Sequence, residues 1–592
     1  MPGPLIRGGP TRAPVNRLRA AAEWIRARSG AAAIVCLGFA WAFTMHSMGW
    51  AQWAHYAQVR AFAAGQAEID PWHWETNDKA WIHGHFYSVK SPGVAAVSTP
   101  LYLAIEETGG LDLALDGALN ARETQWPRWA PEPYPSVANY GFNPARGRVI
   151  EARLEAGSPV VWALTLLVAV IPAVLLLFGV RWAANRVERG YGTAAAITLG
   201  IASMLMVFAS EYFSHVIAAA LGFAAFLLLW RERDAAPSLR AVAPAGLLCG
   251  LAVSFEYQVG LVGVVLFFYA LSRAAPRLPR AAAFAAAAVA GVIPALAFNV
   301  WALGSPFEFA YGAAVDETGY SGHDTLGLNS DGLFGITLPR LDAVVDLLVA
   351  NRGLLVLTPV IAAAVAGVLR MRRGENRVEA NVILWIAMLY FAYNAGYWLT
   401  FGGGTPGPRF LIPALPFVAI GLAPAYRHFG ALTLALAIPS ALMMVAASIS
   451  FPLLGENGPG TWLEFIWDGR LEHTFLTVLG VSNAWVAIAP LLIAVAGAVT
   501  FAFLATPRRP VGDLRPAVAV VLAWIPVAIL GPTIAGDEKT PLDGDPNLIY
   551  LIAFAALCSL AALGALRVRG ARDTRPPVEV SEARRSQAAR AG

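Results

Sequence analysis

"VWALTLLVAVIPAVLLLFGV", residues 161–180, contains no charge, and Arg181, Arg186 and Arg189 follow it directly. An α-helix of this length crosses the ~30 Å hydrocarbon core of a bilayer. The same alternation of an apolar run and an arginine cluster recurs along the chain. Of 592 residues, 57% are hydrophobic and only 14% charged, whereas soluble domains carry about 25% charged residues. The sequence therefore predicts an all-α polytopic membrane protein.

About fourteen transmembrane helices are expected, near 30–50, 158–180, 191–209, 214–230, 241–255, 257–272, 281–303, 353–369, 380–399, 410–425, 429–448, 484–504, 516–535 and 547–566. Arginine bias in short loops sets orientation. Arg7, Arg12, Arg17, Arg19, Arg26 and Arg28 precede the first span, and further clusters occupy 181–189, 231–240, 273–280, 370–377, 508–515 and 567–575. With fourteen spans all of them fall on one side. Both termini are then expected in the cytoplasm of a multi-pass plasma-membrane protein. The division is a basic N-terminus (1–29), a transmembrane module (30–450), additional C-terminal helices (451–566) and a charged, disordered tail (567–592).

The net charge of +4 reflects this topology and no nucleic-acid partner is expected. Cys36, Cys249 and Cys558 lie far apart in apolar runs and read as small buried hydrophobes. The first apolar run is followed by aromatic "MGWAQWAHY" and not by a small-residue cleavage site, so it reads as an uncleaved anchor.

Large external loops are expected at 51–157, 304–352 and 451–483, with shorter ones at 400–409 and 536–546. "GVAAVSTPLYLAI" (93–105) is too short to cross and reads as a helix in the interface or against the bundle. In "TLPRLDAVVDLLVANRG" (337–353) Thr337 is a candidate cap, with Leu341, Val344, Val345 and Leu348 on one apolar stripe of an interfacial helix.

Chemistry concentrates in these loops. A transporter of ions or charged solutes places ionisable groups at mid-membrane depth. Here Glu211, His215, Glu256 and Tyr257 stand at the ends of spans; they suit an outer-face site, or the simple water boundary. The first loop reads "AEIDPWHWETNDKAWIHGHFYSVKSPG" (67–93), with Asp70, Glu75, Asp78, His73, His83, His85 and Lys90 among Trp72, Trp74 and Trp81. Carboxylates take protons from hydroxyls, aromatic faces suit sugar rings or an interfacial belt, and a cation holds phosphate. Lys90 is one of three lysines, against forty arginines. The histidines match no tight metal motif, so no cofactor is expected, and nothing supports a divalent cation. In "YNAGYWLTFGGGTPGPRFLIPALPF" (393–417), glycines and prolines impose an irregular loop. Arg409 beyond it clamps a phosphate or anchors the loop.

The stretches "GHFYSVKSPGVAAVSTPLY" (84–102), "SEYFSH" (210–215), "FEYQ" (255–258), "LGSPFEFAYG" (303–312), "RGLLVLTPV" (352–360) and "GPRFLIPALPF" (407–417) resemble the GT-C glycosyltransferases. Within them the likeness is to the family-39-like, polyprenyl-phosphate-sugar-dependent group, which includes protein O-mannosyltransferases and aminoarabinose transferases. The resemblance covers most of 31–450 through many loose motifs. It implies a GT-C-like bundle whose external loops bind a polyprenyl-phosphate sugar donor and pass the sugar to a glycan, lipid or protein hydroxyl, with an acidic general base.

Lys90 matches the lysine that contacts the donor phosphate in that group, although Ser91 intervenes before Pro92. Tyr87 matches the accompanying tyrosine. Many relatives carry an Asp-Glu pair at the external end of the first span, where Gln52 and Trp53 stand here. The base is then expected at Asp78, next at Asp70, with Asp316 and Glu317 further candidates. Arg409 is the expected second phosphate cation, and Tyr87, His85, Trp81, Glu256 and Asp316 the expected substrate contacts. The competing readings are a flippase or transporter of a lipid-linked sugar, and a scaffold that has lost its catalytic acid.

Overall fold

The computed structural model describes residues 13–46, 48–125, 159–273, 276–315, 321, 323, 334–453, 458–507 and 512–573. Among them, β structure is confined to two two-stranded ladders, and the rest of the regular structure is helical. Every one of the fourteen apolar runs carries helix. Eight helices are long and apolar enough to cross a membrane, and a bent pair makes a ninth candidate. The other five runs form helices of 10–17 residues. By length and composition the described residues carry eight or nine such spans, and the fourteen expected are not all matched by helices of that length.

The differences have local causes. The first helix ends at Phe43 instead of near 50, because Thr44 and Met45 turn into a ladder with His473 and Thr474; a new helix starts at Trp50. The run at 353–369 is split. Helical pieces either side of Thr358 and Pro359 bend by 91°, since a proline cannot continue the ladder of the preceding turn. The interfacial helix begins at Leu341. Thr337 does not cap it: its N–H and hydroxyl both donate to the Gly396 carbonyl. The buried face of that helix is Ala343 and Leu347, while Leu341 is exposed. The last helix extends to Asp573.

Small residues let the helices touch. A Cβ on Gly246 would meet the Phe284 carbonyl oxygen at 2.2 Å, one on Gly250 the Ala288 oxygen at 2.0 Å, and one on Gly291 the Leu247 oxygen at 2.5 Å. The 239–253 and 277–303 helices thus pack backbone to backbone, which in lipid replaces the missing hydrophobic driving force.

The loops segregate to opposite ends of the bundle. The 18-residue helix His215–Glu232 spans roughly 27 Å between them. At its Glu232 end the arginine loops interlock. Glu232 accepts both guanidinium nitrogens of Arg280, at 2.8 and 3.1 Å, Arg186 pairs with Asp234, Arg233 with Glu379 and Arg427 with Glu188. This joins four arginine-bearing loops at one end, as the positive bias requires. The His215 end carries the first loop and its partners.

Candidate active site

The first loop is held by its own local chemistry. Lys79–Ile82 pairs with His85–Ser88 in a hairpin, Lys79 opposite Ser88. The two-residue turn puts His83 at φ 52° and Gly84 at φ 87°, as a twist-matched tight turn demands. Ala80, Ile82 and Tyr87 form a small apolar cluster with Leu303 and Ala314. The chain leaves the hairpin through Lys90 into the helix Gly93–Glu107. There the Gly93 N–H donates to the Ser254 carbonyl at 2.8 Å. A Cβ on Gly93 would lie 2.5 Å from that oxygen, so only glycine permits the approach. Tyr212 donates to Ser98 at 2.7 Å, which seats this helix against the bundle.

That seam brings Lys90 beside the 254–257 segment. Lys90 Nζ lies 2.6 Å from Asp78 Oδ2, and His323 Nε2 lies 3.3 Å from Asp78 Oδ1. Burial pushes the Asp78 carboxyl up, but the Lys90 ammonium and the His323 ring outweigh it and hold it well below the usual carboxylate range. Alongside, Ser214 donates to Glu256, and His215 Nδ1 stands 2.9 Å from the same Oε1. Against burial, His215, Ser214 and Lys90 hold the Glu256 carboxyl down at about 2.

Arg409 opens the 3-10 turn Arg409–Ala414. Its guanidinium carbon stands 5.3 Å from the rings of both Phe213 and Phe410, its buried Nε has no hydrogen-bond partner, and no carboxylate among the described residues pairs with it. A partly buried guanidinium with no acid partner among the described residues suits an anion. Arg352 donates to the Gly403 carbonyl at 2.7 Å and fixes the glycine loop that precedes it. Tyr311, Tyr397 and Trp398 add an aromatic wall: the Tyr311 and Tyr397 hydroxyls meet, and Trp398 and Tyr311 flank His323.

Other predicted residues sit elsewhere. Asp70 is the hairpin's clasp: Oδ1 accepts the Phe86 N–H and Oδ2 meets His85 Nδ1, each at 2.7 Å. His85 is exposed there, and its bond to Asp70 raises its pKa. Trp81 packs edge-on against Phe86, 4.6 Å between centroids. Tyr87 lies on the hairpin's buried face. Asp316 and Glu317 fall outside the described residues. Gln52, in the position of the missing acids, donates to Glu211 Oε2 at 2.7 Å. Both are buried, and burial drives the Glu211 carboxyl well above its ordinary value. His323 went unnoticed in the sequence; its one signal was a histidine within a polar loop otherwise rich in glycine.

Fold and site together define a multi-pass helical membrane protein with a polar, cation-bearing cluster at one end of the bundle. No protein-family model matches the chain, and no curated protein does. Among solved structures it is similar to the enzyme ArnT from Cupriavidus metallidurans bound to undecaprenyl phosphate, at 13% identity and TM-score 0.43, over 90% of this chain and 87% of that one. The apo form gives 15% identity and TM-score 0.42, over 91% and 88%. The Archaeoglobus fulgidus oligosaccharyltransferase gives 13% and 0.37, over 88% of this chain and 59% of that one. Superpositions this loose identify neither a family nor a chemistry.

Proposed function

We propose that the chain is a membrane glycosyltransferase that moves a sugar from a polyprenyl-phosphate donor to an acceptor hydroxyl at the external face of the plasma membrane. The observation that carries this reading is the pairing of Lys90 with Asp78 at 2.6 Å, in a cluster that also holds the Arg409 guanidinium, which no carboxylate pairs among the described residues. Two cations suit a phosphate leaving group, whose charge they stabilise as it develops. A carboxylate centre beside them suits the hydroxyl that attacks.

A lipid tail has room nearby. A cavity of about 270 Å³, lined almost wholly by apolar atoms, opens beside Pro92 and Gly93, between Phe62, Phe298 and Trp301. It lies two residues along the chain from Lys90. In the transfer, acceptor oxygen bonds to the anomeric carbon while the bond from that carbon to phosphate oxygen breaks; the electron pair leaves on the phosphate toward Lys90 and Arg409. A single displacement inverts the anomeric centre.

The test is transfer of label from radiolabelled polyprenyl-phosphate sugars to endogenous acceptors, in membranes with matched amounts of wild type, Lys90→Ala and Asp78→Asn. Wild type is expected to transfer, Lys90→Ala to fail and Asp78→Asn to keep only a small residual rate. Silence of wild type with every donor would sink the reading and favour a lipid-linked-sugar transporter.

A further inference from the structure

The Asp78 carboxylate is fully engaged. One oxygen faces the Lys90 ammonium at 2.6 Å and the other faces the His323 ring at 3.3 Å. A carboxylate so held is a poor proton acceptor for an alcohol, because a general base works best with a pKa near the operating pH. Histidine is the side chain that most often serves as a general base. The ring of His323 is positioned from three sides: Asp78 at Nε2, the Tyr311 ring edge-on at 5.3 Å, and the Trp398 ring at 6.2 Å. Its side chain is 12% exposed, and Nε2 faces Asp78 at ion-pair distance without full hydrogen-bond alignment.

We propose that His323 is the general base of the transfer and Asp78 its positioning partner. This rests on the glycosyl-transfer reading above. With Nε2–H turned toward the carboxylate, Nδ1 carries the lone pair. The acceptor O–H gives its proton to Nδ1 as the oxygen bonds to the anomeric carbon and the phosphate departs with its electron pair. Asp78 then faces an imidazolium, and Lys90 is drawn off toward the phosphate. The proton on Nδ1 leaves to solvent or to the departing phosphate, which restores the neutral ring. Among the described residues, the charged and titratable groups around His323 are Asp78 at Nε2, Lys90 behind it and the Tyr311 hydroxyl, with Arg409 further along the cluster.

The experiment follows label transfer by purified protein in lipid nanodiscs between about pH 5 and 8, the range in which histidine changes charge. Wild type is compared with His323→Gln, His323→Ala with and without added imidazole, and Asp78→Asn. Loss of a general base is expected to lower kcat by roughly 10²–10⁴-fold in His323→Gln, with donor KM little changed and the acid limb of the pH profile abolished. Imidazole is expected to restore part of the rate to His323→Ala. Asp78→Asn keeps the ring but removes its anion, so its residual activity is expected to show the acid limb at lower pH.

Melting curves and donor binding confirm that each variant is folded. Retention of the acid limb by His323→Gln, or a rate within about threefold of wild type where a base contributes at least 10²-fold, would return the base to Asp78. An unmoved limb in Asp78→Asn would also overturn the dyad. These outcomes are read only against an active wild type; a wild type inert with every donor overturns the transfer reading and this inference with it.

Discussion

Lys90 Nζ sits 2.6 Å from Asp78 Oδ2, with the two side chains 17% and 12% exposed. The pair joins the start of the hairpin to the chain leaving it, so the same contact shapes the loop and occupies the cation. The donor phosphate must take Lys90 from Asp78 to bind it. The double substitution Asp78→Asn, Lys90→Met separates these roles. Lys90→Ala alone strands a buried carboxylate, which is expected to destabilise the protein by about 3–5 kcal/mol. The double variant is expected to recover most of that loss and no transfer. Denaturant unfolding and label transfer on wild type, Lys90→Ala and the double variant check this; restored transfer in the double variant would show that neither group acts on substrate.

Gly93 positions the site from behind. Gly93→Ala would place a Cβ 2.5 Å from the Ser254 carbonyl oxygen, and the backbone there cannot rotate aside as a side chain could. The helix Gly93–Glu107 must retreat, and Lys90 moves away from Glu256. A loss of about 1–3 kcal/mol is expected from the overpacking. Transfer falls further, since a shift of about 1 Å at a reacting group can cost about 10²-fold. Donor titration of the folded variant checks it: kcat should fall more than thermal stability explains.

Lys79 gives a pH signature independent of catalysis. Its ammonium is buried under the hairpin, donates to the His73 carbonyl at 2.7 Å, and is pushed down to about 7 by burial. The unfolded chain holds that proton up to about pH 10.4. Between these values the unfolded state binds more protons than the folded one, so stability rises with pH. The slope is up to about 1.4 kcal/mol per pH unit. Below pH 7 both states are protonated, and the penalty of a buried charge is fully present. Unfolding of wild type and Lys79→Met from about pH 7 to 10 is expected to show that rise only in wild type; parallel curves would mean the amine is solvated.

The helical bundle was legible because hydrophobic length is a local property that each run carries by itself. Which runs cross was less so, since Thr44, Met45 and Pro359 cut helices short through a distant strand partner and a missing N–H. Lys90 and Asp78 stood out because lysine is scarce here and charges are scarcer still in apolar surroundings. In the sequence only nearness to Lys90 favoured Asp78 over Asp70. Both are loop aspartates, and only the fold shows one clasping Phe86 and the other meeting Lys90. His323 joins Asp78 from a separate loop, a contact that no spacing announces.

Gln52 tests the departure from the resemblance at the end of the first span. It sits in the position of an acid, yet its amide donates to Glu211 Oε2 at 2.7 Å while its own Oε1 accepts the Gly49 N–H at 3.1 Å. Both bonds are internal, so the residue locks the start of the helix Trp50–Ala63 to the 209–214 turn. A locking residue predicts loss of stability without loss of chemistry. Gln52→Ala leaves the buried Glu211 without its donor, which is expected to destabilise by about 1–3 kcal/mol, while transfer per folded molecule stays near wild type. Gln52→Glu sets a second acid against Glu211; either one carboxyl stays protonated and shares its hydrogen, or like charges repel. It is therefore expected to weaken the fold progressively as pH rises and both lose their protons. Melting curves across pH, paired with transfer measured at matched folded protein, decide the matter. A specific gain in transfer for Gln52→Glu would move the catalytic acid back to the end of the first span.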